Sequence, residues 1–328
     1  MTPSSVEDGL DETQYHQEGD MKELYAATKI ISHAGCADGV ASAMLARLAL
    51  PRAEVVMLHY GPQRDNLEPE PGMLFVDMTP PESKVEAFVS AGAICLDHHK
   101  KAQWVVESFG DNGVFADEKD EPGVSGAVLA YRHVLKPCWE QDPEMMTEPQ
   151  MVRAEGFADL CGVRDTWQKD HKDWELACML REALLFYPLD HWTEWGRFDV
   201  SADEMNVGRI IYEKQQNLVE KLAQEVLIFA RDEGAVAIAP AHGNTTSDLA
   251  EYLRTHRNIG TLATFFYTSN GTQLTLHISM RSTDIDVGEL AKQYPGGGGH
   301  TNAAGFEYRC YLDKSVDPLC FVREALGV

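Results

Sequence analysis

Basic residues are scarce in this 328-residue chain: 28 Lys and Arg stand against 52 Asp and Glu, a net charge of −24. Proteins that hold long nucleic acid gain much of their affinity from Lys and Arg set against phosphates. A surface this acidic repels a polyanion except at a local basic or cation-filled cleft, so no duplex DNA partner is expected. A short or small phosphorylated ligand is easier to accommodate, although acidity also serves solubility alone. Paired cysteines are lacking too. The seven cysteines include no C-x-x-C pair and make an odd total, which argues against a disulfide framework or zinc ribbon and fits a reducing cytoplasm. No apolar run approaches the roughly 20 residues of a membrane-spanning helix, and the N-terminus has no basic segment leading into an apolar one, so neither membrane nor secretory signal is expected.

What is present is alternation. Thr28–Ile31, Glu54–His59, Met73–Val76, Ala93–Leu96 and Val114–Ala116 read as short strands. Helical segments over Asp38–Leu50, from Pro80 to about Ser90, and over Val124–Leu135 separate them. Strand alternating with helix predicts an α/β fold with a parallel sheet flanked by helices. Lys136–Gln150 is rich in proline and acid and reads as a loop, while Ser201-Ala202-Asp203-Glu204 resembles a capping box ahead of a long helix to about Arg231. Beyond it, strands and helices continue as a smaller α/β domain. The expected organisation is an acidic, disordered tail over 1–22, a catalytic domain over 23–197, a linker helix over 198–232 and a substrate-binding domain over 233–328.

Ligands of parallel α/β sheets sit beyond the carboxyl ends of the strands, so the polar residues there matter most. The first strand runs into His33, Cys36, Asp38 and Gly39, the third into Asp77, and the fourth into Asp97-His98-His99; a later helical segment supplies Arg164-Asp165. Singly, each reads as a turn, cap or packing residue. Together, carboxylates and imidazoles suit Mn²⁺ and related divalent ions, and clustered acids repel one another without a cation between them. The aromatic side chains of Trp104, Trp139, Trp174, Trp192 and Trp195 read as packing; Trp167, beside Asp165, reads as packing or as the border of a pocket. Glu155, Arg164 and His191 are pocket candidates without further support.

In this order, H-x-x-C-x-D-G, V-D, D-H-H, R-D and a late G-G-G-H-x-x-A-A-G resemble the DHH phosphoesterases with a DHH-associated C-terminal domain, over nearly the whole chain after residue 22. The resemblance implies two metal ions bridged by Asp77. His33, Cys36 and Asp77 would hold the first; Asp38, Asp77, His98 and Asp165 would hold the second. Asp97 would orient a ligand and His99 would face the substrate phosphate, making Asp97, His99 and Asp77 the catalytic set. Arg281, Ser282, Gly297, Gly298, Gly299 and His300 match substrate-binding positions, the glycines presenting backbone N–H groups to an anion. Most family members carry Asp where this chain has Cys36, and a thiolate is a soft ligand, poorly matched to Mn²⁺ or Mg²⁺. The first site is therefore weakened, or holds a softer ion, or is only lined by Cys36.

The function so implied is metal-dependent hydrolysis of short oligonucleotides or linear dinucleotides to mononucleotides, in a chain whose relatives often form dimers. Two other readings compete. A RecJ-like single-strand exonuclease needs a basic, aromatic-lined channel, and none is identified in the sequence. A nucleotide-binding regulatory protein with little catalysis is motivated by Cys36.

Overall fold

The structure, a computed structural model, describes residues 24, 26–193, 198–231, 234–242, 245–270, 273–311 and 317–328. The expected tail over 1–22 and Trp195 lie outside the described residues. Contacts divide the chain into two compact units that meet between Ile211 and Tyr212.

The N-terminal unit is built on five parallel strands, β1 (Lys29–His33), β2 (Glu54–Leu58), β3 (Met73–Val76), β4 (Ile94–Asp97) and β5 (Gly113–Phe115), in the order β2-β1-β3-β4-β5. Successive side chains of a strand point to opposite faces, and the apolar residues obey this. Ile30, Leu74, Val76 and Leu96 enter one buried cluster with helix α1 (Ala37–Ala49). Ile31, Met73, Phe75 and Cys95 enter another with Val85 and Phe88 of α2 (Val85–Ser90) and Val105 and Val106 of α3 (Gln103–Glu107). Strands buried on both faces read as unbroken apolar runs, which is why β3 and β4 were legible. The strand order reverses between β1 and β3, and the crevice at such a switch point is the expected ligand position.

One expectation in this unit is corrected. Lys136–Gln141 is helical rather than loop, and Pro137 lies in its first turn. It follows α4 (Gly126–Ala130) through a wide π-type turn over Tyr131–Leu135. A wide turn relieves the clash of a proline ring with the carbonyl one turn back. Helix α5 (Glu148–Asp165) then starts at a capping box between Thr147 and Gln150 and ends on Asp165. Helix α6 (Trp174–Phe186) follows.

The long helix α7 (Ala202–Glu225) is shorter than the expected linker, because Leu227–Arg231 forms strand β6 and hairpins onto β7 (Gly234–Pro240). The C-terminal unit is a mixed six-stranded sheet with β8 (Thr261–Asn270), β9 (Gln273–Ser282), β10 (Gly298–His300) and β11 (Ala303–Tyr311), ordered β10-β11-β9-β8-β7-β6. Only β7 and β8 pair in parallel. Val236 and Ile238 of β7 face one buried cluster, Ala237 and Ala239 the other, the latter shared with Val219 and Leu222 of α7. Among the described residues no helix is long and apolar enough to cross a membrane.

Candidate metal centre

The side chains singled out at the strand ends meet at the carboxyl edge of the parallel sheet. Three groups of ligand atoms lie close enough to hold an ion: His33, Cys36 and Asp77; Asp77, His98 and His99; and Asp38, His98 and Asp165. Asp77 belongs to the first two groups and His98 to the last two, so the groups form one continuous cluster.

Local backbone demands explain the spacing of the first motif. Gly35 turns the chain at φ 85° after β1, a conformation natural to glycine. Cys36 caps α1, its Sγ accepting a hydrogen bond from the Gly39 N–H. A Cβ on Gly39 would lie 2.2 Å from the His33 carbonyl oxygen, so helix and strand can pack this closely only if residue 39 is glycine. Asp77 follows β3 with φ 56°, a left-handed conformation that Asp tolerates better than most side chains. That twist sets its two oxygens between the ligand groups. Oδ2 lies 3.1 Å from Cys36 Sγ and 4.0 Å from His33 Nδ1, and Oδ1 lies 3.3 Å from His98 Nε2.

These separations can be tested against an ion. For zinc, metal–sulfur and metal–nitrogen bonds of roughly 2.3 and 2.0–2.1 Å at tetrahedral angles set ligand atoms about 3.4–3.6 Å apart. Cys36 Sγ is 3.1 Å from His33 Nδ1, so the His33, Cys36 and Asp77 triangle is of the right size, its sulfur edges slightly short. His98 Nε2 stands 3.7 Å from Asp38 Oδ2, 3.3 Å from Asp77 Oδ1 and 3.5 Å from Asp165 Oδ2. This nitrogen is buried and makes no hydrogen bond. With no well-directed hydrogen bond to take up its lone polar edge, it instead faces three carboxylates at ion-coordination spacing. The residues fit a divalent ion.

Electrostatics agree. Burial and the neighbouring Asp38 push Asp77 up to about 7. Burial, then Asp38, raise Asp165 to about 6 against the opposing pull of His98, His99 and Arg164. Burial works against a charged His98, yet Asp77, Asp38 and Asp165 carry it to about 10. Such mutual repulsion and proton sharing are what a cation relieves. His33 is held below the ordinary imidazole range by burial and by the positive potential of His99 and His59, which keeps it neutral and fit for ligation. The Cys36 thiol is pushed well up by burial and then by Asp77 and Asp38.

Asp97 and His99 form a hydrogen-bonded pair at the margin of the cluster. The buried Asp97 accepts from both the His99 backbone N–H and Nδ1, at 2.9 and 2.7 Å. Burial opposes the charge on His99, but Asp97 and then Asp77 raise it to about 9. The imidazole is 41% exposed, so a cationic donor faces solvent beside the cluster.

Ser125-Gly126-Ala127 escaped the sequence reading. The backbone N–H groups of Gly126 and Ala127 donate to both oxygens of Asp38, at 2.6 and 3.0 Å. A Cβ on Gly126 would fall 2.5 Å from Asp77 Cβ and 2.8 Å from Asp38 Oδ2. The only available signal was a Ser cap before a small-residue run. Trp167 takes φ 58° just after α5. Its ring packs edge-on against Trp174, with Arg164 Cζ at 4.2 Å and Lys169 Nζ at 4.7 Å from its centroid.

In the C-terminal unit, Arg281 donates to Ser247 Oγ and the Met280 carbonyl, and no carboxylate pairs with it among the described residues. Ser282 is buried, its hydroxyl sharing a hydrogen bond with Thr261 and accepting from the Asp284 and Ile285 N–H groups; these contacts hold the turn that follows β9. The glycine run is not an open loop. Gly297 N–H donates to the Tyr294 carbonyl, and Gly298–His300 pair with β11. A Cβ on Gly297 would lie 1.9 Å from the Ala291 carbonyl oxygen, and one on Gly299 would lie 2.4 Å from that of Ala303. Close backbone packing therefore requires these glycines.

Residues 216–310 match the DHHA1 domain family. Among solved structures, the fold is similar to an exopolyphosphatase-related protein from Bacteroides fragilis, at 13% identity and a TM-score of 0.52, with 94% of each chain covered. The pGpG-specific phosphodiesterase PggH from Vibrio cholerae matches at 12% identity and a TM-score of 0.47, covering 91% of this chain and 97% of that one. RecJ from Thermus thermophilus, solved with Mg²⁺, matches at 14% identity and a TM-score of 0.43 over 94% of this chain and 50% of its own. No curated protein matches.

Proposed function

We propose that this chain, a DHH-family protein with a C-terminal DHHA1 domain, is a metal-dependent phosphodiesterase that hydrolyses short oligonucleotides or linear dinucleotides to mononucleotides. The observation that carries the reading is His98 Nε2, buried, without a hydrogen bond, and surrounded by Asp38, Asp77 and Asp165. His33, Cys36 and Asp77 would hold one ion, and Asp38, Asp77, His98 and Asp165 a second, with Mn²⁺ the proposed metal. A divalent ion there lowers the pKa of water and offsets phosphoryl charge.

The chain's own side chains do the rest. Asp97 holds His99 charged and oriented, so that the imidazolium donates to a phosphoryl oxygen as negative charge builds on it. Gly126 and Ala127 fix the Asp38 carboxylate through their N–H groups. Water gives up a proton and attacks phosphorus, the ester P–O bond breaks, and the departing alkoxide oxygen takes up a proton to leave as a hydroxyl. Within the C-terminal unit, Arg281, unpaired with any described carboxylate, is the candidate residue for an anionic ligand, with the glycine strand and His300 as further candidates for substrate recognition. The net charge of −24 favours short substrates over long ones.

Purified protein with Mn²⁺, Co²⁺ or Zn²⁺ should cleave a two-nucleotide substrate quickly and a long single strand slowly. Rapid cleavage of both lengths would favour an exonuclease, and cleavage of neither would favour a binding protein.

A further inference from the structure

A cation stands beside the first ligand group without a role in the site described. Arg64 lies in the single helical turn Pro62–Asp65 after β2. Its side chain is 16% exposed, and its Nε is buried with no hydrogen-bond partner among the described residues. Its one ion pair among the described residues, to the neighbouring Asp65, is long at 3.4 Å and ends on a carboxylate that is half exposed. The guanidinium stacks over Tyr60 at 4.9 Å, and the Tyr60 ring packs edge-on against His33 at 5.0 Å. One aromatic ring thus separates this cation from a ligand of the candidate metal centre. Tyr60 is 44% exposed and the Arg64 side chain 16%, so the pair is partly open to solvent, on the guanidinium side away from the buried Nε.

A mostly buried guanidinium with an unsatisfied N–H is costly unless something supplies an acceptor. Stacking on an aromatic face holds the guanidinium plane while leaving its N–H edge available for a bidentate oxyanion. In a chain with 52 acids, a carboxylate could have satisfied Arg64 well, yet among the described residues none does so closely. From these contacts we infer that Arg64, held by Tyr60, binds a second phosphate of the substrate, adjacent to the one that is attacked. The inference rests on the phosphodiesterase reading and narrows it: the preferred substrate carries a phosphate beyond the one hydrolysed. A guanidinium–phosphate contact adds charge-assisted hydrogen bonds, and such bonds correspond to a preference of about tenfold to a hundredfold.

Binding separates this assignment from catalysis. Titration calorimetry with Mn²⁺ should show a nucleoside 3′,5′-bisphosphate binding at least about tenfold more tightly than the 5′-monophosphate. Arg64→Gln should bring that ratio close to one, Arg64→Lys should leave it intermediate, and Tyr60→Leu should reduce it, with melting curves checking that each variant folds. Equal affinity of the wild type for the two ligands overturns the assignment, as does an Arg64→Gln variant that keeps the wild-type ratio. A wild type that discriminates between the ligands but cleaves no dinucleotide upholds the Arg64 assignment and refutes the phosphodiesterase reading instead.

Discussion

Replacing Cys36 by Asp probes the residue where this chain departs most from the pattern it resembles. A thiol must lose its proton to ligate an ion. An ordinary thiol with a pKa of about 8.5 already forfeits roughly thirtyfold in apparent metal affinity at pH 7. Burial and the nearby Asp77 and Asp38 carboxylates push Cys36 further up, so thirtyfold is a floor. A carboxylate at this position is ionised at pH 7, though its repulsion with Asp77 offsets part of the gain. Mn²⁺ should therefore bind the first site of Cys36→Asp at least about tenfold more tightly, with one fewer proton released. In the wild type, Co²⁺ should produce a near-ultraviolet thiolate-to-cobalt absorption that the variant lacks, since thiolate selects softer ions. The assay is a metal titration followed by calorimetry and absorption spectroscopy. Unchanged Mn²⁺ stoichiometry and affinity, together with no thiolate band in the wild type, would refute ligation by Cys36.

Asp77→Asn keeps a side chain that tolerates φ 56° but removes the charge shared by two ligand groups; turnover should fall at least about a hundredfold, and metal analysis should find fewer ions bound. Gly126→Ala drives a Cβ to within 2.5 Å of Asp77 Cβ and should lower metal affinity about tenfold to a hundredfold while costing about 1–3 kcal/mol of stability, read by urea unfolding. Ion binding must displace the proton from His98, raised to about 10, and part of that on Asp77, near 7; affinity should thus increase with pH, most steeply below about 7 where both protons compete. Calorimetry in buffers of different ionisation enthalpy should count more than one proton released at pH 7, and a pH-independent affinity contradicts the ligand set. Asp97→Asn removes the main acceptor of His99, so the His99 pKa measured by NMR should drop from about 9 toward the ordinary value of about 6.5.

The parallel sheet was legible because β1, β3 and β4 are buried on both faces and appear as unbroken apolar runs ending in polar residues. The ligand types at those ends were equally visible. Their convergence was not, since it depends on the order β2-β1-β3-β4-β5, which brings His33, Asp77 and His98 to one edge. Where local signals competed, the reading slipped. Pro137 suggested a loop, but a wide turn absorbs it inside a helix. Leu227–Arg231 continued a helical pattern, but pairing with β7 made it a strand. The glycine run was legible as backbone that must come close to something, and tertiary packing shows that part of this closeness is to Ala291 and β11.

By itself the sequence determined what depends on neighbours along the chain: burial periodicity, the glycines that turns require, and the acid and imidazole chemistry at strand ends. Tertiary structure alone decided what depends on distance between remote segments. It set Gly126 and Ala127 on the Asp38 carboxylate 88 and 89 residues away, committed Ser282 to a turn, and left His98 Nε2 without a hydrogen bond among three carboxylates. Ligation, proton affinity and desolvation all change over a few ångströms, and no spacing along the chain encodes those ångströms directly.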